Sequence, residues 1–424
     1  MRTAAKDEDL MKNAAAFRYR NSTDGLGHSF VVGYLLISHF FVGCASAPEV
    51  ETGLDVLVAE DFRALEGRRV GLIANHTAVD NELGHLIDLL DRNDRTKLVA
   101  VFAPEHGFRG IAQAGESLRD ARDPRTGVPV FSLYGDHRRP TPEMLEGVEV
   151  LLFDIQDIGV RTYTYLSTLL GALEEAARAK VEFWVLDRPN PLGGTLEGPM
   201  LVEDMRSFVG PHTLPLRHGL TPGEFALLVN EERGIGADLK IIRSRGWHRG
   251  QWNESKSVWI APSPNIPTRA TALLYAGFVL IEGTNLSEGR GTTRPFHLVG
   301  APWLDSRSVS EELQGLGLPG VIFRETAFEP TFSKFKGTPC QGIEAHVVDP
   351  QSFRAVTCAL AVLDTIRRRH PEDFRFLDSF DRLAGTPALR SALEAGSSWW
   401  EIEAGWSAGL DAFRKRRAKF LLYR

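Results

Sequence analysis

"VEVLLFDIQDIGVRTYTYLSTLLGALEEAARAKVEFWVLD", residues 148 to 187, decides the fold. It opens on a near-continuous apolar run and closes on a second, "VEFWVLD" (181–187). Between them, "TYTYLSTLLGALEEAARAK" (162–180) repeats apolar residues at three- and four-residue spacing, the signature of a helix with one buried face. Strands without polar alternation are buried on both sides. Two of them joined by a helix form a βαβ unit of a parallel sheet.

Outward from that unit the same beat continues. "RRVGLIAN" (68–75) and "TKLVAVFA" (96–103) read as strands around a helix, "ELGHLIDLLDRN" (82–93), and "GVPVFSLYG" (127–135) adds another strand. The expectation is a Rossmann-like, doubly wound parallel sheet over residues 53–200. Residues 201–424 read as a second α/β domain packed on the first. In it "TPGEFALLVNEER" (221–233) predicts a helix with a capping box, Thr221 at N-cap and Glu224 at N3. "ADLKIIRS" (237–244), "KSVWIAPS" (256–263) and "GIEAHVVDP" (342–350) predict strands. "PTRATALLYAGFVLIEGTN" (267–285), "SFRAVTCALAVLDTIRRRH" (352–370) and "GLDAFRKRRAKFLLY" (409–423) predict helices, the first running into a loop.

Composition narrows the function. The chain has 424 residues, 43% hydrophobic and 25% charged, as soluble enzymes do. A net charge of −6 carries no basic footprint for nucleic acid. Near the N-terminus the apolar run Phe30 to Gly43 is short for a membrane span of about 20 residues but fits a signal-peptide core. It ends on "FVGC", which resembles a lipobox, so residues 1–43 are expected to be a lipoprotein signal with Cys44 lipidated and 44–52 a linker. The chain is then exported, as a periplasmic or outer-membrane-anchored lipoprotein or otherwise secreted. Cys340 and Cys358 remain, expected as buried free thiols.

Ligands of open parallel sheets bind beyond the carboxyl ends of the strands. Those ends carry Asn75 and His76, then Glu105, His106 and Arg109, then Asp154, Asp157 and Arg161, then Asp187, Arg188 and Asn190. The second half adds "APSPNIPT" (261–268), with Asn265, and "IEGTNLSEGRGTTRPF" (281–296), with Glu282, Asn285, Glu288, Arg290 and Arg294. Arginine beside Asn, Ser and Thr suits recognition of polyols and carboxylates. "GLGLPG" (315–320) fits a dinucleotide-binding fingerprint but runs into a strand, so it is a turn. The scattered His76, His106, His137 and His218 leave a metal-dependent hydrolase as one reading. Paired carboxylates with Arg, Asn and Tyr favour another, glycoside hydrolysis.

At these residues the sequence resembles the bacterial exo-β-N-acetylmuramidase family. The resemblance is carried by "PEHGFRG" (104–110), "DIQDIGVRTYTYLSTL" (154–169), "VLDRPNPLGG" (185–194) and "PLRHGLTPGE" (215–224). "PSPNIPT" (262–268), "EGTNLSEGRGTTRPF" (282–296) and "GAPW" (300–303) complete it. It implies release of N-acetylmuramic acid from the non-reducing end of peptidoglycan fragments, without a cofactor, and an active site in the cleft between a Rossmann-like N-terminal domain and a smaller C-terminal α/β domain. It implies Glu105 as general acid, His106 as its orienter or a substrate contact, and Glu282, Glu288 or Asp157 as the second carboxylate, unless the substrate's own N-acetyl group participates. Tyr163 or Tyr165 is expected at the substrate, with Asn75, Asn190, Asn265 and Asn285. Arg109, Arg161, Arg290 and Arg294 are the candidates for the lactyl carboxylate that distinguishes N-acetylmuramic acid from N-acetylglucosamine. A non-catalytic lipoprotein that binds peptidoglycan fragments is the rival from another class.

Overall fold

The computed structural model describes residues 50–105, 107–108, 121–135, 137–250 and 258–424. The first half forms strands β1 (Arg69–Ala74), β2 (Lys97–Ala103), β3 (Ala121–Arg122), β4 (Pro129–Ser132), β5 (Val150–Asp154) and β6 (Glu182–Leu186). A short antiparallel pair, β7 (Glu197–Met200) and β8 (Pro215–Arg217), follows, then β9 (Leu239–Ile242). Seven of these make one sheet in the order β3-β4-β2-β1-β5-β6-β9, parallel except at the β3 edge. The winding direction reverses between β1 and β5. The expected doubly wound architecture is present, with its switch point there.

Side-chain alternation explains why both faces are covered. Along β5, Val150 and Leu152 enter one apolar cluster while Leu151 and Phe153 enter another. Helices α1 (Gly53–Ala59) and α2 (Leu86–Arg92) cover the first face. Helices α3 (Tyr165–Ala179) and α4 (Pro222–Glu232) cover the second, through Leu166, Leu169, Leu173, Phe225 and Val229. The capping box of α4 forms as read: Thr221 accepts from the Glu224 amide and Glu224 accepts from the Thr221 amide.

Two details depart from the sequence reading. The sheet does not end by residue 200, since β9 pairs in parallel with β6. The strand expected over "KSVWIAPS" does not form in its described part: residues 258–261 are irregular. Prolines 262, 264 and 267 remove amide donors a ladder would need, and the freed carbonyls of Ala261 and Pro262 turn toward the first half instead.

The C-terminal part continues the second cluster without a break. Helix α5 (Arg269–Phe278) packs on α7 (Ala355–Arg369), beside an antiparallel sheet of β10 (Leu298–Ala301), β12 (Cys340–Val347) and β11 (Val321–Phe328), with α6 (Ser306–Gly315) against β11. Gly277 permits the α5–α7 contact, because a Cβ there would lie 2.0 Å from the Ala355 carbonyl oxygen. Cys340 and Cys358 are buried free thiols, as expected.

Candidate active site

Strand β2 delivers Glu105 at its carboxyl end. The apolar side chains of Val101, Phe102 and Ala103 are buried, and the chain then turns, with the Gly107 amide bonded to the Pro104 carbonyl at 3.0 Å and Gly107 at φ +74°. Glu105 is half-buried. The Thr164 hydroxyl donates to its Oε2 at 2.8 Å. Tyr134, just past β4, bonds to the same carboxylate through its phenol, which burial and the Glu105 charge push up to about 12.

Glu105 lines a cavity of about 190 Å³ whose walls come from both halves of the chain. Thr162 to Tyr165 enter from the start of α3, Ser263, Asn265 and Ile266 from the proline-rich segment, and Tyr275 from α5. Glu282, Arg290 and Phe296 complete it. Three tyrosine rings pack edge to face: Tyr163 lies 4.9 Å from Tyr165 and 5.9 Å from Tyr275, centroid to centroid. Tyr165 receives a bond from Asn75 Nδ2 at 2.8 Å and donates to the Pro262 carbonyl at 2.6 Å, tying β1 to the second half. The buried Tyr163 hydroxyl faces Ser263 and Tyr165 without closing a well-formed bond to either. A buried donor left so is ready for a ligand.

Facing this cluster is a charged wall. Arg290 Nη2 lies 2.9 Å from Glu282 Oε1, and its Nε lies 3.3 Å from Glu288 Oε1. Glu282 keeps 26% of its side chain open toward the cavity, yet its surroundings are dry enough that burial raises its carboxyl pKa against the pull of Arg290. Burial opposes the Arg290 charge, but Glu282 and Glu288 outweigh it and raise the guanidinium.

Of the residues expected at the site, the structure brings Glu105, Tyr163, Tyr165, Asn265, Glu282 and Arg290 to one cavity. The others stand elsewhere. Glu288 is buried behind Arg290 and salt-bridged to Lys334 at 3.1 Å, so it supports the wall from the rear. Asp157 is sealed in the core, accepting from the Gly159 amide and standing 3.9 Å from His218 Nε2. Arg161 is fully buried. Its two Nη atoms donate to the carbonyls of Pro199, Leu214, Leu383 and Ala384, which makes it a staple between halves and not a substrate ligand. Asn190 closes a turn with Leu192 and Leu220. Asn285 bonds the main chain of Asp373 and Arg375. Arg294 pairs with Glu344 at 2.9 Å, away from the cavity. Asn75 acts through Tyr165. His106, Arg109 and Cys44 lie outside the described residues.

Sequence reasoning missed Tyr134, Thr162, Thr164, Ser263, Tyr275 and Phe296. Ser263, Thr162, Thr164 and Phe296 lie inside motifs that were singled out, so a finer reading of those motifs could have found them. Tyr275 sits in an apolar helix and Tyr134 in an ordinary strand exit, where no local signal marks either. Among the described residues no group of three His, Cys, Asp or Glu side chains is placed to hold a metal ion.

The chain matches known proteins along most of its length. Residues 70–270 match the family model for exo-β-N-acetylmuramidase NamZ, N-terminal, and residues 273–423 match its C-terminal counterpart. The chain is 47% identical over 383 residues to the peptidoglycan β-N-acetylmuramidase NamZ of Bacillus subtilis (strain 168), covering 89% of this chain and 92% of that one. Crystal structures of two DUF1343 family proteins from Bacteroides fragilis NCTC 9343 superpose with TM-scores of 0.83 and 0.73, at 37% and 30% identity. Each spans 89% of this chain and 99% of its own.

Proposed function

The chain belongs to the exo-β-N-acetylmuramidase NamZ family, and from this we infer that it is a glycoside hydrolase releasing N-acetylmuramic acid from the non-reducing end of peptidoglycan fragments. One observation carries the reading at the level of the site: Glu105 shares a cavity with the Glu282–Arg290 pair and the tyrosine cluster. At about 190 Å³ the cavity is smaller than the roughly 300–1,000 Å³ of drug-sized sites. That suits capture of one terminal sugar. The non-catalytic binding reading is not favoured, because the curated relative is an enzyme and the carboxylates are in place here.

In this mechanism Glu105 protonates the leaving glycosidic oxygen, with Thr164 and Tyr134 fixing its rotamer. Glu282 is the second carboxyl group in the cavity, positioned to orient the substrate's N-acetyl group. The test is release of 4-nitrophenol from a muramyl glycoside. We expect activity that survives chelator, and a fall in kcat of about 10³-fold or more in Glu105→Gln with KM changed only a few-fold. Activity lost with chelator would instead favour the metal-dependent reading.

We also propose export through the N-terminal signal with lipid attachment at Cys44, supported by the short apolar run ending in "FVGC". Labelled palmitate should enter the wild type and not Cys44→Ser. Equal labelling of both would refute the anchor.

A further inference from the structure

Behind the cavity wall the charges are balanced in a particular way. Glu282 and Glu288 contribute two carboxylates, Arg290 and Lys334 two cations. Lys334 is pinned by the carbonyls of Ile281 and Leu286 at 3.1 and 2.7 Å, and Glu288 is only 2% exposed, so neither can leave. Arg290 is steadied by the Phe296 ring, whose centroid lies 5.2 Å from the guanidinium carbon. Glu282 and Arg290 both line the cavity, and Glu282 is the more exposed of the two, at 26% against 19%. Among the described residues lining that cavity, Arg290 is also the one cation.

On the muramidase reading, on which this inference rests, the substrate brings a third carboxylate on its lactyl ether. Three carboxylates and two cations leave a net negative charge in a partly buried site, which such sites resist. We propose that the lactyl carboxylate replaces Glu282 on Arg290, and that the displaced Glu282 takes up one proton from solvent as the substrate binds. The groups facing Glu282 are Arg290 and Glu288 on its own loop, Lys334 from the turn after β11, Tyr275 from α5, and Glu105 on the same cavity. Once Arg290 is engaged by substrate, burial and the Glu288 charge both favour a protonated Glu282. The sugar would thus be recognised by an exchange of ion pairs with no unpaired charge at any stage. An N-acetylglucosaminyl end, lacking the acid, drives no exchange.

The experiment is calorimetric titration with N-acetylmuramic acid and with N-acetylglucosamine in buffers of different ionisation enthalpy. N-acetylmuramic acid is expected to bring up to one proton per molecule bound at pH 7 to 8, and N-acetylglucosamine none. Glu282→Gln should abolish the uptake while still binding N-acetylmuramic acid, since glutamine can yield its place but cannot titrate. If the free sugar binds too weakly, KM for a 4-nitrophenyl muramyl glycoside replaces it. It should rise about tenfold per pH unit where uptake occurs, and flatten in Glu282→Gln. Arg290→Gln should shrink the preference for muramyl over glucosaminyl glycosides at least tenfold. Binding without uptake, uptake that persists in Glu282→Gln, or an unchanged preference in Arg290→Gln would each overturn the exchange. A wild type that hydrolyses no muramyl glycoside is a different result, and it removes the muramidase reading itself.

Discussion

Asp157 and His218 show how a buried pair can be misread as catalysis. Asp157 follows a strand end and looks like a rim carboxylate, yet its side chain is sealed and bonded to the Gly159 amide at 2.6 Å. Burial pushes its carboxyl up to about 7 from the ordinary 3.8. Between those values the folded chain keeps a proton that the unfolded chain has lost, so stability falls as pH rises through the window. Burial drives the His218 ring the other way, to about 3, so its contribution is full above 6.5 and is lost as pH falls. Asp157→Asn removes the first effect alone. Its melting temperature relative to wild type should therefore climb steadily from pH 4 to pH 7. A difference independent of pH would show that Asp157 is paired and charged throughout. Glu105 differs from Asp157 in one respect that sequence spacing does not encode, which is that its carboxylate opens on the cavity.

Helix α5 joins structure to site. Gly277 lets it approach α7 at backbone distance, and Tyr275, two residues earlier, projects into the cavity. Alanine at 277 would add about 1 kcal/mol of helix propensity. Its Cβ would meet the Ala355 carbonyl oxygen at 2.0 Å, and overpacking of that kind costs about 1–3 kcal/mol. The clash should win. We expect Gly277→Ala to unfold at lower denaturant and to lose kcat/KM, because Tyr275 moves with the helix. Unchanged kinetics with lowered stability would separate the two effects. The elements themselves were readable, because apolar strands and capped helices are local patterns: β1, β2, β5, β6, α3 and α4 all stand where the text puts them. "KSVWIAPS" failed because strand-like composition says nothing about a missing ladder partner. The charged loop at 282–296 was recognised as a site, but which of its arginines faces the cavity depends on β12, whose Glu344 draws Arg294 away.

At the scale of the whole molecule, residues 47–424 form one compact unit. Arg161 shows how the halves are joined: four carbonyls, from Pro199 and Leu214 on one side and Leu383 and Ala384 on the other, share one guanidinium. Burial lowers its pKa only to about 9, so it remains charged near neutrality. Arg161→Met would leave those acceptors unmet, at about 1–3 kcal/mol for each one that water cannot reach. Wild-type unfolding in urea should be a single transition by both fluorescence and circular dichroism, and Arg161→Met should lower its midpoint markedly. Two separated transitions in the wild type would mean that the halves fold independently.

The cavity has a consequence for any attempt to divide this protein. Glu105 and the Thr162–Tyr165 segment lie in the N-terminal family region, while Tyr275, Glu282 and Arg290 lie in the C-terminal one. Neither region alone can therefore serve as a minimal enzyme, and a gene fragment encoding only one of them specifies half a wall. Joining one of these regions to a foreign partner would not yield a catalyst, since Glu105 and the charged wall meet only when both are present.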